Sequence, residues 1–204
     1  MNRPCQILCF LEDVAHEKFL VALIRRAADQ VKVPVRIQVR NATGGSRAWT
    51  EFRRFLADLG RSNAEQPDIL VVAIDGNCRK SATVRDQIKR EACNASASVP
   101  RIVCAVPDPH IERWYIEDST ALPQVLPGAQ SRKLRYKCER HKYKGALRDA
   151  VRLSGVEPML GGAEYGEDVA QVVNPEKMDR SFRLFWRELL NSLKDCQRVY
   201  EKPT

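Results

Sequence analysis

Residues 68–74, DILVVAI, constrain the fold more than any other stretch of the chain. After the opening Asp the run offers no polar side chain to either face. It therefore suits a strand covered on both sides, as in a parallel sheet between two layers of helices. Three further runs fit the same sheet: residues 6–11 (QILCFL), 33–39 (VPVRIQV) and 101–106 (RIVCAV). Helical periodicity fills the gaps. Residues 16–31 place Phe19, Leu20, Leu23, Ile24, Ala27 and Ala28 on one stripe, residues 49–59 repeat the pattern from Trp49 to Leu59, and residues 83–93 form a third helix. Strands alternating with helices predict an α/β fold with a mostly parallel central sheet flanked by helices.

The second half is less regular. A helix is predicted over 111–118, because Pro109 suits a first turn. A loop holding Pro and Gly follows at 120–132, then helices at 142–154 and 164–173 around a Gly161-Gly162 turn. Residues 179–196 form an amphipathic helix with Phe182, Phe185, Trp186, Leu189, Leu190 and Leu193 on one side and Asp179 as N-cap. The chain is read as one domain over 1–173 with a C-terminal helix and tail over 174–204. The apolar side of that helix either covers the sheet or docks a partner.

With 204 residues, 44% of them hydrophobic, the chain can bury one sizeable core, and bulk disorder is excluded. No run approaches about 18 consecutive apolar residues, so a membrane-spanning helix is excluded. The opening MNRPCQILCFLED carries no small-residue cleavage site, and a cytoplasmic location is expected. The seven cysteines, at 5, 9, 78, 93, 104, 138 and 196, form no CxxC pair and are expected as reduced thiols. The formal charge is +8, and it is concentrated: residues 131–152 hold nine Lys/Arg against two acids. Interleaved with Tyr136 and Tyr143, that segment is either a solvated helix face or the footprint of a nucleic acid, with Arg140, Lys142 and Lys144 on the phosphates.

Ligands of open α/β sheets bind beyond the carboxyl ends of the strands. Here those ends read Glu12-Asp13, Asp75-Gly76-Asn77, and Asp108-Pro109-His110 followed by Glu112. Any one of these acids alone reads as a cap or a turn. Together they repel one another unless a cation neutralises them, and oxygen donors of this type suit Mg²⁺ or Mn²⁺. Such an ion binds phosphate oxygens and acidifies a water. Asp13 is a second ligand or the N-cap of the next helix. His110 faces a phosphate or satisfies its own loop. Arg79 and Lys80 hold a phosphate or face solvent at a helix start. Glu164, after the Gly-Gly turn, is a further ligand or a cap. Trp114 is assigned to the core. The Gly44-Gly45 loop lacks the Lys-Ser/Thr of a P-loop, and no GxSxG or HExxH occurs.

A Glu that ends the first strand, in LEDVAHEKFLVALI at 11–24, and an Asp-x-Asp-like end to a later one, in VVAIDGNCRK at 71–80, resemble the Toprim pattern of topoisomerases, primases and overcoming-lysogenisation-defect nucleases. VPDPHIERWYIEDSTAL at 106–122 and GGAEYGEDVA at 161–170 resemble further motifs of small stand-alone Toprim-like bacterial proteins. The resemblance covers most of 6–173 and implies a Toprim-like fold. It also implies Mg²⁺- or Mn²⁺-dependent cleavage of DNA or RNA, an ATPase partner, and a role in antiviral defence; it leaves room for a homo-oligomer. Glu12 matches the family's glutamate, a general acid/base or metal ligand, and Asp75 its first aspartate. Asn77 stands where the second aspartate belongs. A neutral carbonyl there ligates more weakly, and Glu112 or Glu164 would complete the set. That departure keeps a second expectation in play: a catalytically weak binding or regulatory subunit of an ATPase complex.

Overall fold

The computed structural model describes residues 3–61, 66–95, 101–139 and 141–201, with backbone alone at 199–201. In chain order the elements are β1 (Cys5–Leu11), α1 (Val14–Val31), β2 (Val35–Asn41), α2 (Ala48–Arg61), β3 (Ile69–Ala73), α3 (Ser81–Asn94), β4 (Ile102–Ala105), α4 (Glu112–Ile116), α5 (Ala121–Val125), α6 (Lys142–Arg152), α7 (Gly166–Val172) and α8 (Arg180–Glu201). The strands form one all-parallel sheet in the order β2-β1-β3-β4. This is the α/β architecture expected from the sequence, with helices on both faces and a C-terminal helix, and it is consistent with a Toprim-like fold.

The apolar run of β3 is explained by its two covered faces. Ile69, Val71 and Ala73 point into a core shared with α1 and α8, while Leu70 and Val72 point into one built by Phe52 and Leu56 of α2 and Val84 and Ile88 of α3. β2 is an edge strand, with Val35 and Ile37 half-buried and Arg36 and Arg40 exposed; charge at an edge discourages pairing with another chain. At the β4 edge Arg85 of α3 donates to the Cys104 carbonyl at 2.7 Å and pairs with Glu188 of α8. The apolar side of α8, including Phe182, Phe185, Leu189 and Leu193, lies in the same core as α1 and β1. Trp114 is fully buried there against Phe182 and Phe185, as expected.

Two expectations are corrected. Residues 120–132 contain the one-turn helix α5, whose Pro123 falls where a helix needs no N–H donor. The cysteines are not all free: Cys5 is bridged to Cys196 and Cys78 to Cys138, leaving Cys9, Cys93 and Cys104 as thiols. Sequence separations of 191 and 60 leave no local motif to reveal these pairs. Among the described residues no helix is long and apolar enough to cross a membrane.

Candidate metal centre

The chain winds from β1 outward to β2 and then returns to β3 on the other side of β1. The strand order therefore switches direction between β1 and β3, and a crevice opens beyond their carboxyl ends. Glu12 follows β1 and Asp75 lies two residues beyond β3, so both candidate catalytic residues stand at that crevice. They touch: Oε2 of Glu12 accepts the Asp75 backbone N–H at 2.7 Å. Gly76 makes the turn possible. A Cβ there would lie 3.1 Å from the Asp108 side chain, and the Gly76 N–H instead donates to the Pro107 carbonyl at 2.7 Å.

His16, which the sequence reading did not single out, completes the centre. Asp13 is the N-cap of α1 and accepts the His16 backbone N–H at 3.1 Å. This cap turns the fully buried imidazole inward, with Nδ1 2.8 Å from Asp13 Oδ1 and Nε2 3.1 Å from Asp75 Oδ1. Asp75 also accepts the Ile111 N–H at 2.9 Å and meets His110 Nδ1 at 3.0 Å. Glu12, His16 and Asp75 each offer a donor atom, all within 4.8 Å of one another. The missed signal was the spacing Asp13-x-x-His16, an N-cap followed three residues later by a polar side chain.

Burial and neighbouring charge set the protonation states. Burial, and then the Asp75 charge, push Glu12 up to about 7. Burial opposes the charge on His16, but Asp75 and Asp13 outweigh it and hold the imidazole well above its usual range. Asp75 is lowered despite its own burial, because His16 and His110 stabilise its charge. Asp13 likewise overcomes burial, and its hydrogen bond with His16 takes it to about 2. His110 is raised by its bond to Asp75. Carboxylates this close need a cation between them, and in the metal-free chain the His16 imidazolium meets part of that need.

Glu112 lies on α4, 7% exposed, and burial raises its carboxyl. Its Oε1 is 3.5 Å from Lys144 Nζ, while the buried Oε2 has no hydrogen-bond partner. Two predicted ligands lie elsewhere. Asn77 is exposed in a left-handed turn, and its side chain donates to the Asp75 carbonyl at 3.4 Å. Glu164 accepts the backbone N–H groups of Met159, Leu160 and Gly162 at 2.8, 3.0 and 3.0 Å, so its carboxylate fastens a loop. Of the predicted phosphate contacts, His110 and Lys144 reach the centre. Arg79 is turned to Gln87 at 2.8 Å, Lys80 is exposed at the start of α3, and Lys142 donates to the Arg135 carbonyl at 2.8 Å. Arg140 lies outside the described residues.

The donor set fits a divalent ion. Two carboxylates and an imidazole lie within 4.8 Å of one another, and the imidazole becomes a donor once an arriving ion displaces its proton. On α4 the Oε2 of Glu112 is a buried acceptor without a hydrogen-bond partner. Beside the centre opens a cleft of about 570 Å³, whose walls include Asp13 and Glu112. No known family, curated protein or solved structure matches the chain.

Proposed function

We propose that the chain is a divalent-metal-dependent, Toprim-like phosphodiesterase that cleaves DNA or RNA. The observation that carries this reading is the meeting of Glu12, His16 and Asp75 at the switch point of a parallel sheet, beside a cleft with cationic side chains on its wall. Glu12, Asp75 and, with its proton displaced, the imidazole of His16 would hold the ion. A bound ion would neutralise phosphate charge and acidify a water.

The remaining chemistry belongs to the chain. Without an ion Glu12 is raised to about 7, so near neutral pH it either exchanges a proton at Oε as a general acid or base or yields that proton to become a ligand. His16, His110 and the Ile111 N–H fix both oxygens of Asp75, so its position does not depend on a ligand. Lys144, beside Glu112 at 3.5 Å, supplies a cation where a phosphate would approach.

Cleavage of labelled DNA and RNA, single- and double-stranded, is measured with Mg²⁺, Mn²⁺ or EDTA. Cleavage with a divalent ion is expected, with Glu12→Gln and Asp75→Asn each lowering the rate by about 100-fold or more. Full rates in both variants, or no cleavage of any substrate with either ion, would overturn the proposal. The second reading, a binding subunit of an ATPase complex, draws on Asp75, whose two oxygens already have partners within the chain. Steeply salt-dependent binding without cleavage favours that reading.

A further inference from the structure

Helix α6 has two faces. Tyr143, Leu147, Ala150 and Val151 are buried in the core. His141, Lys144 and Arg148, spaced three, four and seven residues apart, lie along the cleft beside Asp13 and Glu112. The lining also holds apolar side chains. Val14 at the start of α1 and Leu160 in the loop before α7 are 49% and 55% exposed, although both are large hydrophobic residues. Leu160 is not there by default: Glu164 ties down three N–H groups of its loop, including that of Leu160 itself at 3.0 Å. The cleft lining thus combines cations, exposed apolar side chains and carboxylates.

A nucleotide has the same three-part chemistry, with an anionic phosphate, a flat base of low polarity, and a phosphodiester to be delivered to the reactive groups. A cleft of about 570 Å³ lies within the size range that engulfs one small-molecule-sized group. A paired and stacked base cannot enter such a site without leaving the duplex. We propose that the cleft receives a single unpaired nucleotide of a single-stranded nucleic acid, its phosphates on Lys144 and Arg148 and its base on Val14 and Leu160. This rests on the nuclease reading and names its substrate class.

Gly145 provides a clean test. It lines the cleft from α6, as well as a neighbouring cavity, and a Cβ built there meets nothing within 4 Å, so a side chain can be introduced there, with the melting temperature checking that the fold accepts a large one. Fluorescence anisotropy is read in EDTA, so that no strand is cut, with labelled oligo-dT and oligo-U and with each annealed to its complement. The wild type is expected to bind at least one single strand about tenfold more tightly than its duplex, and Gly145→Phe and Arg148→Glu each to weaken that binding by about tenfold at an unchanged melting temperature. Duplex binding as tight as single-strand binding for both sugars, or undiminished binding by both variants, would overturn the inference. Absence of cleavage with strand binding intact counts against the nuclease reading alone. Metal-dependent cutting of duplex by folded cleft variants at the wild-type rate counts against the cleft alone.

Discussion

Glu12 is where pH acts most directly on this protein. Burial and the Asp75 charge raise its folded value to about 7 from an ordinary 4.5. The folded value is the higher one, so the bound proton stabilises the fold; that contribution is complete below the unfolded value and is lost as pH rises through about 7. His16 follows the same sign at higher pH, its contribution persisting until its own raised value is passed. Asp13, lowered from 3.8 to about 2, acts in the opposite sense and loses its contribution as acid is added below 3.8. Metal-free protein is therefore expected to melt at progressively lower temperature between about pH 5 and pH 8. Glu12→Gln keeps an oxygen for the Asp75 N–H and cannot ionise, so it should flatten that slope in a fluorimetric melting series. Equal slopes in the two proteins would show that Glu12 does not hold its proton through burial. The carboxylates of this centre were legible because they end apolar runs. His16 was only partly so: its spacing from Asp13 marks a capped first turn, but not which buried group its ring will meet.

At the scale of elements, α7 shows how little room the second layer leaves. A Cβ on Gly166 would collide with the Tyr115 hydroxyl and lie 3.0 Å from Lys18 of α1, while that hydroxyl donates to the Ala15 carbonyl at 2.7 Å. Gly166→Ala is expected to destabilise the protein by about 1–3 kcal/mol in urea denaturation, because overpacking outweighs the better helix propensity of Ala. Gly145→Ala, whose Cβ is unopposed, should gain up to about 1 kcal/mol and so isolates the packing effect. If both substitutions stabilise equally, α7 is less tightly seated than the structure has it. The first three βα units were readable to within a few residues: 68–74 was expected where Ile69–Ala73 pairs, and 49–59 where Ala48–Arg61 winds. Their strands and helices bury regular stripes, and periodicity is what sequence displays. Beyond β4 the chain turns to α4, α5 and α7, helices of five to seven residues, too short to show a period. The predicted helix at 164–173 accordingly divides into a 3₁₀ turn at Ala163–Tyr165 and α7.

Across the whole molecule, the two sulfur bridges connect regions that no motif links. One joins β1 to α8, and the other joins the turn after Asp75 to the basic segment before α6. They also remove cysteine as an argument for a reducing compartment. Closing a loop of 191 residues restricts the unfolded chain, and the loop-entropy relation assigns that restriction about 5 kcal/mol. The native helix would meanwhile keep its apolar seam of Phe182, Phe185, Leu189 and Leu193 on the sheet. Protein purified without reductant, then denatured, should therefore show three reactive thiols, Cys9, Cys93 and Cys104, and seven after reduction. Reduction should lower the urea midpoint, and Cys196→Ser should reproduce much of that loss while α8 remains folded by circular dichroism. Seven reactive thiols in the unreduced chain would mean that packing alone, without a covalent tie, holds the last helix to the first strand.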